Sequence, residues 1–267
     1  MIRDITIGQY YRTESDIHKL DPRTKIICTL IMVITLFIFK GFVQYVVAAA
    51  FVGMVIHISN VPFKHIIRGL KPVLILIIFT AVCQLVFTKT GTVLVDLGFM
   101  RLYSIAVKNA ILFTVRIVFL IIGTSMMTYT TTPNQLTDGL EVVLKPLKLL
   151  KVPVHDMAMI MSIALRFIPI LLEECDKIMK AQMARGADLE RGNLITRAKN
   201  LVPILIPLFV SAFKRADDLA MAMESRCYRG GEGRTKLHPL KYKQADYIAY
   251  VAVISFVVVE YGITFYI

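Results

Sequence analysis

Five apolar blocks decide which solvent this chain folds in. They cover residues 26–39, 42–58, 73–87, 105–127 and 247–267. About 20 apolar residues in a helix cross a hydrocarbon layer of ~30 Å, and the fourth and fifth blocks have that length. The first three are shorter. Block one has 14 residues, about 21 Å of helix at ~1.5 Å per residue, and Lys25 and Lys40 at its ends extend it by snorkelling. Only Lys40-Gly41 separates blocks one and two, which predicts a tight hairpin. Of the 267 residues, 56% are hydrophobic, and the blocks hold most of them. The expected fold class is an all-α integral membrane protein with about five transmembrane helices.

Charge sets the orientation. Arg3, Arg12, Lys19, Arg23 and Lys25 precede block one, and Lys64, Arg68 and Lys71 lie between blocks two and three. The opposite side carries Lys40, Lys89 and Arg101. Basic residues mark the cytoplasmic side, so the N-terminus is expected inside and the C-terminus outside. Residues 1–127 then form a region of four spans, 128–246 a cytoplasmic region and 247–267 the last span. The net charge of +12 fits an inner-leaflet excess. Nucleic acid is not an expected partner, because the basic residues flank spans and form no aromatic-interleaved patch.

The cytoplasmic region predicts three amphipathic helices. Thr130-Thr131-Thr132-Pro133 is a helix start, a threonine cap followed by proline in the first turn. That helix is expected to reach about Leu150, with a kink at Pro146. After Val152-Pro153, Asp156 is placed to cap a second helix from Met157 to about Ala184, bent at Pro169. Its first half is apolar. Its second half alternates Glu173, Glu174, Asp176, Lys177 and Lys180 with one apolar stripe, and Gly186 stops it. Past Arg191-Gly192-Asn193 a second copy follows, apolar from Leu201 to Phe213 and then charged, ending at Ser225-Arg226-Cys227. A slide of 41 positions superposes Arg185 on Arg226 and Ala181 on Ala222.

Catalysis finds little footing. His18, His57, His65, His155 and His238 form no pair at metal-ligand spacing. No Walker-type phosphate loop is present, so the chain is not expected to bind ATP, and no cofactor is expected. Cys28, Cys83, Cys175 and Cys227 have neither disulfide nor metal spacing. Glu173, Glu174 and Asp176 read as a solvated face paired with Lys177 and Lys180. The arginine tips are different. An arginine between small residues leaves the helix end unobstructed, and its fork grips carboxylates or carbonyls of a partner. Two tips in repeated contexts, with methionine-rich faces that adapt to partners, point to docking.

Several motifs together resemble the T component of energy-coupling factor (ECF) transporters. They are His18-Lys19-Leu20-Asp21-Pro22-Arg23-Thr24-Lys25; Leu136-Thr137-Asp138-Gly139-Leu140-Glu141; Leu165-Arg166-Phe167-Ile168-Pro169 through Lys180-Ala181-Gln182-Met183-Ala184-Arg185-Gly186; and Ala220-Met221-Ala222-Met223-Glu224-Ser225-Arg226. The resemblance covers nearly the whole chain. It implies a non-catalytic scaffold in a bacterial plasma membrane, working with two ATP-binding subunits and a substrate-binding membrane subunit, the S component, to import vitamins or other micronutrients. In that family, Ala-Arg-Gly-type motifs end helices that dock into the two ATPases. Ala184, Arg185 and Gly186 match. Ser225 and Cys227 depart on either side of Arg226, which implies non-identical ATPase partners. A pore-lining permease of a conventional ABC importer is the alternative, and such permeases usually present one short coupling helix rather than two long arms.

Two expectations concern the bilayer itself. Arg116 lies near the middle of the fourth span and Glu260 at similar depth in the fifth. Burying either is expensive without a partner, so they are expected to pair. The three short spans are expected to thin the local bilayer.

Overall fold

The computed structural model describes residues 10–266 except 39–40, 89, 97–100, 188–193, 231–236 and 238. Lys40 of the expected hairpin, Arg3 and Lys89 of the charge pattern, and Arg191-Gly192-Asn193 between the copies lie outside the described residues. The chain divides into two compact units. One is built from Gly8–Val143 together with Leu240–Ile267; the other contains Leu144–Pro239, inserted between them.

The first unit contains α1 (Asp16–Lys19), α2 (Pro22–Ile38), α3 (Phe42–Ser59), α4 (Phe63–Leu70), α5 (Leu74–Phe87), α6 (Ser104–Thr130), α7 (Pro133–Val143) and α10 (Gln244–Tyr266). Its core joins Met32 and Leu36 of α2, Tyr45, Ala48 and Val52 of α3, Ile122 and Met126 of α6, and Phe256 of α10. Phe51 stacks on Phe256 at 4.5 Å between ring centroids. At Gly123 a Cβ would meet the terminal methyl of Met32, which packs into the space the glycine leaves between α2 and α6. The outside of the unit is as apolar as its core. No residue of α5 is buried, and Ile75 and Phe87 are each 79% exposed. Apolar exposure on that scale belongs against lipid rather than water.

Four helical stretches of this unit are long and apolar enough to cross a membrane: Phe42–Ser59, Phe63–Phe87, Ser104–Thr130 and Gln244–Phe265. Val154–Ala184 of the inserted unit is a fifth. The protein is therefore a multi-pass membrane protein built from helices. The set of five differs from the sequence reading in three ways, the first being Val154–Ala184 itself, which lies within the region expected to be cytoplasmic. Block one is helix α2, whose 17 residues give only about 25 Å at ~1.5 Å per residue. Block three is not short. Pro72 opens a 3-10 turn, Lys71–Val73, that carries α4 into α5, and the whole stretch has 25 residues. Proline is tolerated there because the first turn of a helix needs no N–H from it. A small antiparallel ribbon of β1 (Val93–Asp96) and β2 (Arg101–Tyr103) precedes α6.

The expected helix start at Thr130–Pro133 resolves into a reciprocal cap. Thr132 Oγ1 accepts from Gln135 N at 3.3 Å, and Gln135 Oε1 accepts from Thr132 N at 3.1 Å, with Pro133 in the first helical position. The end differs from expectation. The α-helix stops at Val143, and Pro146 lies in a 3-10 segment, Lys145–Leu150. α7 packs on α2, and at Gly139 a Cβ would come within 2.9 Å of both Ile26 and Pro22.

In the inserted unit α8 (Val154–Ala184) and α9 (Leu194–Ser225) carry Pro169 and Pro203/Pro207 in their interiors. α8 begins three residues earlier than expected. Asp156 sits in its first turn, and Pro153 occupies the cap with no side-chain bond. There the carboxylate opposes the helix dipole rather than capping.

Candidate functional site

The two arginine tips are built by the same backbone. At the end of α8, Gly186 N donates to Met183 O at 3.0 Å and Ala187 N to Gln182 O at 3.0 Å, with Gly186 at φ +90°. At the end of α9, Cys227 N donates to Glu224 O at 2.8 Å and Tyr228 N to Met223 O at 3.0 Å, with Cys227 at φ +55°. Both are Schellman caps, in which a left-handed residue turns the chain and satisfies the last carbonyls. Every partner of the first cap maps onto its counterpart in the second at the 41-residue offset. Cys227 therefore holds the glycine position without being glycine, and a side chain there costs about 1–2 kcal/mol. Arg185 and Arg226 each precede the turning residue, and both are exposed.

The tips do not sit side by side. Tyr228 Oη lies 3.0 Å from Met159 Sδ, Arg215 Nη2 donates to Glu174 Oε2 at 3.1 Å, and Gln182 Nε2 donates to Pro203 O at 3.4 Å. As the residue number rises on α8 its partners on α9 fall, so the two helices run antiparallel and the tips point to opposite ends. From Pro203, level with Gln182, to Arg226 is 23 residues, about 35 Å of helix at ~1.5 Å per residue.

Two of these contacts have a local cause. Pro207 has no N–H, so the carbonyl four residues back, Pro203 O, lacks its helical donor; Gln182 supplies one. Glu174 and Arg215 are themselves repeat mates, 41 positions apart, and lie where the two copies cross. Sequence reading assigned Glu174 to lysines on its own helix; the structure gives it Arg215 of α9 instead.

The expected pair in the bilayer is not made. Arg116 Nε donates to Tyr45 Oη at 2.9 Å. Glu260 is 1% exposed, and neither of its carboxylate oxygens accepts a hydrogen bond. Successive residues of α3 separate the two: Tyr45 meets Arg116, while Gln44 donates to Thr264 Oγ1 at 2.6 Å and to Glu260 O at 3.4 Å. Similar depth was legible in sequence; angular position around the helices was not.

One cluster had been noticed only as a motif. Asp21 Oδ1 accepts from Arg23 Nε at 2.9 Å and Oδ2 from Arg23 Nη2 at 2.8 Å. The Arg23 guanidinium lies 4.0 Å from the centre of the Tyr242 ring. Asp246, fully buried, accepts from Asp21 N at 2.8 Å and Lys243 N at 2.7 Å. Lys25 Nζ donates to Thr130 O at 2.7 Å and His18 O at 3.1 Å. Burial pushes the Asp21 carboxyl up, but the Arg23 guanidinium and N–H outweigh it and hold it below the usual carboxylate range. Burial holds the His18 imidazole below its ordinary value. An apolar cavity of about 390 Å³ lies beside this cluster, walled by α1, α2, α3, α6 and α10. Its surface is almost all hydrocarbon, which suits no polar substrate.

The cobalt transport protein family, CbiQ, matches residues 13–237. The chain belongs to that family. Family members of similar length agree closely. The chain is 54% identical to the energy-coupling factor transporter transmembrane protein EcfT of Clostridium kluyveri over 250 residues, 93% of each chain. It is 51% identical to the protein of the same name from Ruminiclostridium cellulolyticum, over 92% of each chain. With that of Bacillus subtilis it shares 45%, over 95% of this chain and 96% of the relative. In this CbiQ-family chain the matched span contains both arginine tips and Asp21, Arg23 and Lys25 of the buried cluster, while Tyr242 and Asp246 lie beyond it.

Proposed function

We propose that this chain is the transmembrane coupling component of an ECF-type importer. It is a non-catalytic scaffold that joins two ATP-binding subunits to a substrate-binding membrane subunit for a vitamin or other micronutrient. Arg185 docks into one ATPase and Arg226 into the other. The observation that carries this reading is the pair of identically capped, exposed arginine tips at opposite ends of one antiparallel helix pair. One small partner cannot reach both, whereas two related partners can. The names of the relatives support the same role.

Mechanically, ATP-driven closure brings the two ATPases together, and each carries one tip with it. α8 and α9 then pivot where Glu174 meets Arg215. A change of this kind drives transport only if the partners bind the two arrangements unequally. The N-terminus and Leu144–Pro239 lie in the cytoplasm and the C-terminus outside, following the charge count. Co-purification tests the assembly: the reading expects two ATPases plus a separate small membrane protein. ATPases with no such protein favour a pore-lining permease, and no ATPases at all overturn the reading.

A further inference from the structure

Leu144–Pro239 leaves the first unit at the end of α7 and returns to it through the segment entering α10. Whatever moves the insertion pulls on those two points. The chain reaches α7 through the C-terminal end of α6, and it returns through Leu240–Lys243. We infer that residues 18–25 form a clasp that grips both entry points, so that motion of the inserted helices is delivered to α6 and α10 together. The inference rests on the coupling function proposed above.

The outgoing point is held by Lys25. Its ammonium is buried, 6% exposed, and donates to Thr130 O in the last turn of α6. Carbonyls at a helix C-terminus lack intrahelical donors and carry partial negative charge, so a buried cation satisfies both needs. α7 then lies on α2 across Gly139, where any side chain would strike Pro22.

The returning point is held twice. Arg23, locked by its two bonds to Asp21, faces the ring of Tyr242 in the returning segment. The Asp246 carboxylate accepts from Lys243 N, the cap of its own helix, and from Asp21 N, the cap of α2. One buried carboxylate thus satisfies the first N–H groups of two helices. Removing it orphans both donors, each of which is costly to leave buried and unpaired. Neither helix start is free to shift without the other.

A clasp with this job is a positioning device, so its loss should spare ATP hydrolysis and damage only what hydrolysis accomplishes. The test uses the full transporter complex in proteoliposomes, wild type against Asp246→Asn and Lys25→Met. Three quantities are read: ATPase rate, uptake of the substrate that co-purifies, and the thermal midpoint of the assembled complex. Asn keeps one acceptor where Asp had two, and Met keeps the length of Lys. Expected is an ATPase rate within about twofold of wild type and uptake per ATP lowered at least about tenfold, the scale of an ordinary coupling energy. Arg23→Lys, which keeps charge but loses the two-pronged bond and the ring contact, should fall between. The clasp is overturned if uptake per ATP stays at the wild-type value in both variants. It is also overturned if uptake, ATPase rate and assembly fall in the same proportion, since that is a purely structural role. Absence of ATP-driven uptake in the wild-type complex would instead sink the coupling function itself.

Discussion

The two tips of α8 and α9 share a backbone and differ in the residue that turns it. Gly186 adopts φ +90° with nothing within 4 Å of where a Cβ would be, the unstrained choice for a left-handed turn. Cys227 adopts φ +55° with the same two hydrogen bonds. The second tip thus keeps the geometry and accepts strain. What is retained across the repeat is the direction in which the chain leaves the helix, and with it the direction of the preceding arginine. The residue identities around Arg226 are secondary to that.

The comparison breaks most sharply at the arginines. In the Arg185→Glu, Arg226→Glu double variant, ATP-driven uptake in proteoliposomes is expected to fall at least about thirtyfold, because reversing a docked charge costs ~2–5 kcal/mol. Retained uptake would disprove docking at the tips. Each single variant should release a different ATPase, read by which subunit no longer co-purifies. Next come the turning residues. Cys227→Gly should tighten the second cap by about 1 kcal/mol, slowing hydrogen exchange of the Tyr228 amide roughly fivefold. Gly186→Ala should loosen the first cap by a similar ~1 kcal/mol, read at the Ala187 amide. Equal exchange in all variants would show that the caps carry no strain difference.

The crossing point gives a smaller effect. Glu174 and Arg215 are 28% and 36% exposed at the side chain, so their pair contributes about 0.5–1 kcal/mol after screening. Glu174→Arg should lower the thermal midpoint of the complex, and adding Arg215→Glu should restore most of it. No recovery in the double variant would show that the pair does not hold the crossing. Smallest is a pH effect in the first unit. Burial lowers the His18 pKa below its ordinary value, so the unfolded chain binds the extra proton more readily as pH falls through the ordinary histidine range. Stability should therefore decline from about pH 7.5 to about 5.5. His18→Gln should flatten that decline, and an unchanged slope would place its cause elsewhere.

Much of this was readable from local pattern. The apolar blocks, the Thr132-Pro133 start and both helix ends at Gly186 and Cys227 follow from chemistry within one or two turns. So did the 41-residue repeat. Reading failed where the answer depended on another helix. Pro146 was expected to kink a helix, yet it follows one that has already stopped, whereas Pro72 lies where α4 continues into α5 through a 3-10 turn. Glu174 had lysines of the right spacing on its own helix and found its partner across the pair. Arg116 and Glu260 have the right depth, but Gln44 and Tyr45 intervene. Asp21, Arg23 and Lys25 read as a motif and as flanking charges rather than as a buried network, because their partners Thr130, Tyr242 and Asp246 lie more than a hundred residues away.

By itself the sequence determined the solvent, the helical class and the two helix ends at Gly186 and Cys227, all properties of periodicity, length and local capping, while the family came from the resemblance of its motifs. Only the tertiary structure decided that α8 and α9 run antiparallel with the tips at opposite ends. It also decided that one buried carboxylate, Asp246, serves two helix starts. Those facts depend on which faces meet after packing, and a side chain's angle around its helix has no meaning until a neighbouring helix is in place.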